Sequence, residues 1–553
     1  MKLKKHYILM MSVGILGLTA ACNDLEQAPI NQYTDANFWS SGKASYLVNQ
    51  AYAQMYDAGK LFEDEAISDN VVKTRAGGND VAAYLDGTAT PAAGFFSSNW
   101  SNAYSCIKTC HLFLAHTNDL TGGDAEKACM TAEVRFVRAY TYFRLVNLFG
   151  DVPFFTEDMT VDEANNASRT DKSQIISWIH SELEDIIPDL PSKQEAIGGR
   201  ITKAAAAMLN ARVYLYDSQW SNVEQICRQI MSGQYGSYSL FPSYAGLFSN
   251  ANKYNNEMIL ERGYDENSLT WNEDAQDREP VSVGGRTPDD IPVQSLVDSY
   301  LMLNGYSIHE AGSGFDPKDP YSNRDPRLTA TVIYDGYDWA KNGYPLESTT
   351  KFYSKVEIIA FEGGYIQQYR PDTFTGEYDK TSPSEGYAAR TGYCNRKFYS
   401  PKEEGNWNCG QNLPMMRYAD VLLMYAEAMN EQGKMSADVW NQTIRPIRER
   451  AGFTAAKALD YPASGDMRET IRNERRVELA LEGLRFYDIK RWNIGPDVLN
   501  GDKVIGADYT GNDHTGYTFR YQFNAARNYL YPVPQNILDI DPNISQNPGW
   551  SSQ

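Results

Sequence analysis

The 553-residue sequence contains no apolar run long enough to form a transmembrane helix. Its longest apolar segment, Tyr7 to Leu18, has about a dozen residues, whereas a hydrocarbon core of ~30 Å requires about 20. No later segment approaches that length. A helical membrane anchor is therefore excluded, and any attachment to a membrane has to come from another device.

The sequence also lacks the short motifs that mark common enzyme active sites. It has no GxSxG nucleophile elbow, no HExxH zinc-binding helix and no GxxxxGK[ST] phosphate-binding loop. Glycoside hydrolysis needs two carboxylates held ~5 to 9.5 Å apart, but among 71 acidic residues such a pair can always be proposed. We therefore predict a binding protein and not an enzyme, with a surface hydrolase as the less favoured alternative.

Cysteine is scarce and unpatterned. The seven cysteines include no CxxC pair and no periodic framework, which argues against a disulfide-stapled fold. Cys106, Cys110 and His111 lie close together, but they supply too few ligands for a tetrahedral metal site. We expect these cysteines to act as small buried hydrophobic residues, and we expect neither a metal nor a cofactor.

Positive charge is also in short supply. The chain has 51 Lys and Arg against 71 Asp and Glu, a formal charge of −20, and without the three lysines of residues 1–21 this becomes −20 − 3 = −23. Such an acidic chain is not expected to bind nucleic acid or anionic lipid. By contrast, 38 Tyr and 10 Trp are present, and rings with a polar edge suit sugar surfaces and protein interfaces as well as the core.

The N-terminal residues are typical of an exported lipoprotein. Lys2, Lys4 and Lys5 precede the apolar segment, and Leu18-Thr19-Ala20-Ala21-Cys22 follows it. This resembles a bacterial lipoprotein signal, although Leu18 stands four residues before the cysteine, where the usual motif has three. We expect residues 1–21 to be a signal peptide and Cys22 to be the lipidated N-terminus of an otherwise soluble chain. Ordinary secretory cleavage after Ala20 or Ala21 is the alternative.

Helical periodicity divides the remaining chain. After a polar tether over residues 22–40, apolar stripes at helical spacing predict a scaffold over residues 41–240 and 415–495, including one helix from Met467 to Arg485. Residues 241–400 are rich in Gly, Pro, Asp and Tyr, which predicts a lobe of loops and short strands. Residues 496–553 should be extended. Paired helices with short turns suggest tetratricopeptide-like stacking.

Several ordered motifs resemble the SusD/RagB family of outer-membrane lipoproteins, from the mature start CNDLEQAP at Cys22 onwards. The others are AEVRFVRAYTYFRLVNLFGDVP from Ala132, GRITKAAAAMLNARVYLY from Gly199, NRDPRL from Asn323, RYADVLLMYAEAMN from Arg417, ERRVELALEGLRFYDIKRW from Glu474 and QNPGW from Gln546.

The resemblance implies a fold and a role. The fold would be a single, mostly α domain over residues 22–553, in which four tetratricopeptide-like helix pairs support a loop-rich variable lobe. The role would be to capture nutrient oligomers, mostly glycans, over a TonB-dependent transporter resembling SusC at the outer face of the outer membrane. A RagB-like peptide binder would share every scaffold motif and differ only in the lobe, so it remains the alternative.

The charged residues of these motifs look at first like a catalytic cluster. Glu474, Arg475, Arg476, Glu478 and Arg485 alternate in sign beside apolar positions. That pattern favours Arg–carboxylate pairs between helices over chemistry. Asp325 and Arg327 flank Pro326, which indicates a turn built around a further ion pair.

In this family the ligand surface is assembled from loops, so the candidate residues come from the early loop and the insertion. Sugar binding needs aromatic platforms together with amides and charged groups for the hydroxyls. For any one aromatic residue a packing role stays open, and Trp100 is our favoured stacking platform, at the entry to the second helix. The candidates are Asp69, Asn70, Lys73, Arg75, Tyr84, Trp100, Asn102, Trp271, Arg286, Tyr334, Trp339, Tyr365 and Tyr369.

Overall fold

The structure is a computed structural model that describes residues 38–39, 42–73, 80–272, 275, 278, 290–334, 337, 361–362, 365–366, 391–398, 409–509, 512–513 and 518–550. The signal peptide, Cys22, Arg75, Arg286, Trp339 and Tyr369 lie outside these residues, and Tyr365 is described only as part of a strand. Within the described ranges, no helix combines the length and the apolar character needed to span a bilayer.

The chain is mainly helical. The helices are, in order, α1 Ala44–Met55, α2 Ala58–Ala66, α3 Asp80–Leu85, α4 Gly94–Ala115, α5 Asp124–Phe149, α6 Val161–Ala164, α7 Lys172–Ile186, α8 Lys203–Tyr216, α9 Trp220–Met231, α10 Tyr244–Leu247, α11 Gln294–Ser299, α12 Pro326–Thr331, α13 Tyr418–Glu431, α14 Ala437–Gln442, α15 Ile444–Ala451, α16 Ala456–Leu459, α17 Met467–Glu478, α18 Arg485–Arg491, α19 Gly495–Val498 and α20 Gln535–Leu538.

The long helices stack in a continuous series. α1 packs on α4, α4 on α5, α5 on α7, α7 on α8, α8 on α9, α9 on α13 and α13 on α17. Each helix therefore buries its apolar stripe between two neighbours, as in a tetratricopeptide solenoid. The predicted mostly α fold with four helix pairs (α1 with α4, α5 with α7, α8 with α9, α13 with α17) is confirmed.

Helix α5 is the centre of this stack. The sequence predicts an amphipathic segment from Ala132, whereas the helix begins at Asp124 and is buried on almost every side beyond Met130. It ends at Gly150, whose N–H donates to the carbonyl of Val146 at 2.9 Å with φ at +74°. A side chain at Gly150 would also meet Leu530 at 3.0 Å, so glycine terminates the helix and lets the C-terminal segment pack on it.

Strands are short and pair in twos. They are β1 Val71–Lys73, β2 Met258–Arg262, β3 Asp290–Pro292, β4 Val332–Tyr334, β5 Phe361–Glu362, β6 Tyr365–Ile366, β7 Tyr393–Asn395, β8 Leu413–Arg417, β9 Asn500–Val504, β10 Asp508–Tyr509, β11 Asn512–Asp513 and β12 Thr518–Gln522. β1 pairs with β3, β2 with β8, β4 with β7, β5 with β6, β9 with β12 and β10 with β11, all antiparallel. Several of these pairs join the loop-rich region to the helices.

The charged motif residues form a buried network, as the sequence predicts. Arg417 donates to Glu257 at 2.8 Å, to Glu478 at 2.7 Å and to Glu482 at 2.8 Å. Arg327 donates to Glu478 at 2.8 Å and to Asp325 at 2.7 Å. Burial alone would raise the pKa of Glu478, but the guanidinium groups of Arg450, Arg417 and Arg327 hold it well below its ordinary value. The cluster is therefore neutralised internally and leaves no carboxylate free for catalysis.

One predicted helix is wrong. The segment from Met467 to Arg485 is not continuous, because α17 ends at Glu478 and α18 begins only at Arg485. The turn between them contains Leu481 at φ +65° and Gly483 at φ +71°. Glu65, from α2, accepts the N–H groups of Leu481 at 3.2 Å and of Gly483 at 2.9 Å. This tertiary interaction replaces the helical hydrogen bonds, and helical periodicity in the sequence cannot reveal it.

Replacing Glu478 by Gln should destabilise the fold strongly. The amide keeps the shape of the side chain but removes the charge that three buried guanidinium groups share, and breaking such a buried cluster costs about 3 to 5 kcal/mol of unfolding free energy. We expect this loss in urea denaturation at pH 7. Glu449→Gln is the control, because Glu449 pairs with Arg445 on the surface, where its side chain is 48% exposed, and it should cost under about 1 kcal/mol. Equal losses in the two variants would contradict the network.

Candidate functional site

The early loop and the insertion meet at the two-stranded ladder of β1 and β3. Lys73, the last residue of β1, is paired with Asp290, the first residue of β3, and the Lys73 ammonium lies 3.7 Å from the Asp290 carboxylate. Arg75 follows Lys73 by two residues and Arg286 precedes Asp290 by four. Because the strands are antiparallel, the two segments that carry these candidates leave the described structure at the same edge.

A compact cluster supports that edge. The guanidinium of Arg278 is bonded to Asp290 and lies 3.8 Å from the ring centroid of Phe62. Phe62 in turn packs on Trp271, with ring centroids 5.8 Å apart. We call Phe62, Lys73, Trp271, Arg278 and Asp290 the loop junction. Phe62, Arg278 and Asp290 were not among the predicted residues, because the contacts that join them are tertiary and link residues more than 200 positions apart.

Trp271 is buried within the junction and its polar group is already used. The residue is 6% exposed, and its indole N–H donates to the carbonyl of Gln411 at 2.9 Å. Its main-chain N–H donates to the carbonyl of Cys409 at 3.0 Å. Trp271 therefore fixes the contact between the lobe and the segment that precedes β8, and this position argues against its predicted role as a sugar platform.

Asp69 and Asn70 directly precede β1, and their side chains are bonded to neighbouring helices. The Asp69 carboxylate accepts from Arg485 at 2.6 Å and lies 3.2 Å from Arg476. Burial raises the pKa of Asp69, but Arg476 and Arg485 outweigh it and bring the value to about 2. Asn70 donates to Glu65 at 2.7 Å and accepts from Arg476 at 2.9 Å. Both side chains are saturated within the protein, so the structure offers them a positioning role in place of the predicted ligand contact.

Tyr84 lies in the core and not on a loop surface. Its side chain is 1% exposed, and the hydroxyl donates to the carbonyl of Asn528 at 2.5 Å. Its ring packs edge-on against Phe96 at 6.0 Å and against Tyr531 at 5.3 Å. Burial raises the pKa of Tyr84 above its ordinary range. These contacts join α3 to the C-terminal segment and argue against a ligand role.

Trp100 lies inside helix α4 and not at its entry. It is 4% exposed and packs edge-on against Phe149, with ring centroids 5.0 Å apart, and its ring is tilted by 45° against that of Tyr104 at 5.3 Å. Its buried ring is a packing element of the α4–α5 contact, which weakens the case for a stacking platform. Asn102 is exposed on the same helix, so it stays accessible to a ligand.

The buried edge of Trp100 borders an apolar cleft of about 310 Å³ between α4, residues 153–165 and the C-terminal segment. The residues that line this cleft include no member of the loop junction. Two more candidates lie elsewhere in the lobe, because Tyr334 is stacked on Tyr321 with ring centroids 3.8 Å apart and Tyr365 belongs to the short strand β6. The structure thus brings the start of the early loop next to residues 290–292 of the insertion, and the cleft beside Trp100 is lined by other residues.

The described residues provide no metal centre. Among them, no group of three or more His, Cys, Asp or Glu side chains could hold an ion. Cys106 and Cys110 are buried in α4, as expected for small apolar residues. Burial lowers the pKa of His111 to about 4, so this imidazole is neutral at physiological pH.

Comparison with known proteins places this architecture in a family. Residues 251–550 match the SusD family, and residues 25–215 match a family described as starch-binding and associating with the outer membrane. A SusD-like protein of Formosa agariphila, P25, is 28% identical over 73% of this chain and 71% of its own length. The starch-binding protein SusD of Bacteroides thetaiotaomicron is 25% identical over 80% of this chain and 76% of its own length.

A solved structure agrees with the sequence comparison. A SusD-like carbohydrate-binding protein of Bacteroides fragilis superposes with a TM-score of 0.77 at 26% identity, covering 92% of this chain and all of that chain. The matched residues include most of the helix stack, with α9 outside them, the ion-pair network and the strands β1 and β3 of the loop junction. On the combined strength of sequence and fold, the chain belongs to the SusD family.

Proposed function

We propose that this protein is a lipid-anchored, surface-facing protein of the outer membrane that captures oligosaccharides and delivers them to a SusC-like TonB-dependent transporter. Relatives named for starch and carbohydrate binding support the ligand class. Association with the outer membrane follows from the family matched by residues 25–215. The SusD family binds and does not catalyse, which agrees with the internally neutralised charges of the motif residues.

The observation that carries the ligand site is the β1–β3 ladder. It fixes the ends of two otherwise independent segments at one edge, with Lys73 and Asp290 3.7 Å apart. Binding residues on loops are effective when a rigid scaffold positions them, and the junction behind the ladder is held by the Arg278–Asp290 ion pair and by the packing of Phe62 on Trp271. We therefore propose Arg75, on the segment that follows Lys73, and Arg286, on the segment that precedes Asp290, as ligand contacts at this edge. Trp339 and Tyr365, which follow Asp290 within the insertion, are the proposed aromatic contacts.

A binding screen tests this proposal. The chain without residues 1–22 should bind a glycan on an array, and Trp339→Ala should weaken that binding by about 1 to 3 kcal/mol, or about 5-fold to 150-fold in Kd. The melting temperature of Trp339→Ala should stay near that of the parent. Trp100→Ala is the matched control, because loss of a buried ring should cost about 3 to 5 kcal/mol of stability while the affinity of the folded protein is unchanged.

Three results would contradict the assignment. Binding to peptides and not to any glycan would favour the RagB-like alternative. Release of reducing ends from a bound glycan would indicate a hydrolase. A large loss of affinity in Trp100→Ala without a change in melting temperature would return the ligand surface to helix α4.

The membrane anchor is tested at Cys22. Only its thiol can carry the diacylglycerol of a lipoprotein, so Cys22→Ser should abolish palmitate labelling and release the protein from the outer-membrane fraction. Asp24 and Glu26 follow the cysteine in the manner of surface-export signals of this group, and protease treatment of intact cells should therefore digest the wild-type protein. Retention of Cys22→Ser in the membrane fraction would refute a lipid anchor.

The transporter partnership is tested by co-purification. A protein that captures a ligand over a pore has to be held by more than a lipid chain, so we expect an interface of at least about 1,200 Å² in total. The protein purified from native membranes in a mild detergent should therefore carry a TonB-dependent transporter with it. Recovery of the protein alone under several detergents would argue against the partnership.

A further inference from the structure

A second cavity, remote in sequence from the lobe, is lined by arginine. It has a volume of about 350 Å³ and lies between α17, the α18–α19 region and the turn after α2. Arg472, Arg476 and Arg485 line it together with Asp69 and Trp492. We call these five residues the arginine pocket. Its size falls within the range of small-molecule sites.

The positive charges of the pocket outnumber its buried negative charge. Asp69 is the one carboxylate among the five residues, and it is shared by Arg485 at 2.6 Å and Arg476 at 3.2 Å. Arg476 also donates hydrogen bonds to the Asn70 side chain at 2.9 Å and to the Ser295 hydroxyl at 3.1 Å. The two other acidic residues that line the cavity, Glu469 and Asp497, are exposed at its rim.

Arg472 has no strong partner. Its guanidinium lies 4.7 Å from the centroid of the Trp492 ring and 3.7 Å from the Glu469 carboxylate, which is 68% exposed. Its Nε is buried and has no hydrogen-bond acceptor within the described part of the chain. The negative charge of the buried Glu427 carboxylate acts to raise the pKa of Arg472. The oxygens of Glu427, however, are bonded to Arg491 and to the indole N–H of Trp492.

The electrostatics agree with a deficit of negative charge. Burial lowers the pKa of Arg472 despite Glu427 and Glu469, and burial lowers that of Arg476 to about 10 despite Asp69. Only Arg485, which has both Asp69 oxygens, has a raised pKa. Both guanidinium groups with a lowered pKa would gain from an additional anion, because an opposite charge favours the ionised form.

We propose that the arginine pocket binds an oxyanion, a carboxylate or sulfate group, through the guanidinium of Arg472 with support from Arg476. A guanidinium offers a planar fork of N–H donors that matches such groups, and Trp492 holds the Arg472 fork in place by stacking. The cavity is larger than one inorganic ion, so it also accommodates the ring of an acidic sugar. The assignment of the anion to an acidic sugar rests on the proposed function, whereas the anion site itself does not.

Full-length protein in mild detergent is titrated with sodium sulfate, sodium glucuronate and glucose at constant ionic strength maintained with chloride. Sulfate and glucuronate should raise the melting temperature above that in chloride, and calorimetry should give saturable binding for both but none for glucose at this site. Tighter binding of glucuronate than of sulfate would assign the pocket to a sugar acid. The reverse order would assign it to a free inorganic anion.

Arg472→Gln should reduce the affinity for both anions at least about tenfold. Its melting temperature in chloride should stay near that of the wild type, because the Arg472 Nε has no acceptor within the described residues and the ion pair with the exposed Glu469 is 3.7 Å long. Arg468→Gln is the matched control on the same helix, since Arg468 is 53% exposed and pairs with Glu431 at 2.7 Å. This variant should bind both anions with the affinity of the wild type. Arg472→Lys keeps the charge but lacks the fork, and it should bind with intermediate affinity.

Sulfate also stabilises proteins non-specifically, so the difference between wild type and Arg472→Gln is the deciding quantity. Equal responses of these two proteins to sulfate and glucuronate, or no binding of either anion, would overturn the proposal. Trp339→Ala separates it from the proposed function, because that variant should bind the anions normally even where it has lost a neutral glycan.

Discussion

The structure depends on buried pairing between arginine and carboxylate groups around the end of helix α17. Glu478, at the last turn of that helix, faces Arg327, Arg417 and Arg450, which come from three other segments of the chain. Each of these charges would be costly to bury alone, and only the assembled arrangement neutralises them. Removing one partner would leave the others as unpaired buried charges, so the segments that carry them depend on one another for their positions.

The same network joins the loop-rich region to the helices. Lys397, two residues after β7, donates to Glu482 at 2.6 Å and to the carbonyl of Ala480 at 2.7 Å. Asp69, at the base of β1, is held by Arg485 just after the turn that ends α17. The loop segments consequently leave a frame whose position is set by charge pairs with helices distant in the sequence. A variable ligand surface can then be built on this edge without any change in the helix stack.

Most of the helical architecture could be predicted from the sequence because apolar residues recur at helical spacing within each helix. Apolar stripes predict helices over Ser173–Ile187, Ala205–Tyr216 and Arg417–Met429, and α7, α8 and α13 match them with bounds within a few residues. The sign alternation around Glu474 correctly predicts ion pairs. The turn at Leu481 could not be predicted, since the acceptor that stabilises it is Glu65, more than 400 residues away. Long-range hydrogen bonds of this kind leave no periodic trace in the sequence.

The candidate site was harder to predict for the same reason. Tyr84, Trp100 and Trp271 have the residue type that sugar binding requires, but aromatic side chains serve core packing equally well, and burial decides between the two roles. The strand pairing that places Lys73 beside Asp290 joins two segments more than 200 residues apart, so neither sequence context contains it. Residue type thus predicts the chemistry that a site can perform, whereas the location of the site follows from tertiary pairing. In this chain the β1–β3 pairing brings the early loop and the insertion together, which neither segment's own sequence could indicate.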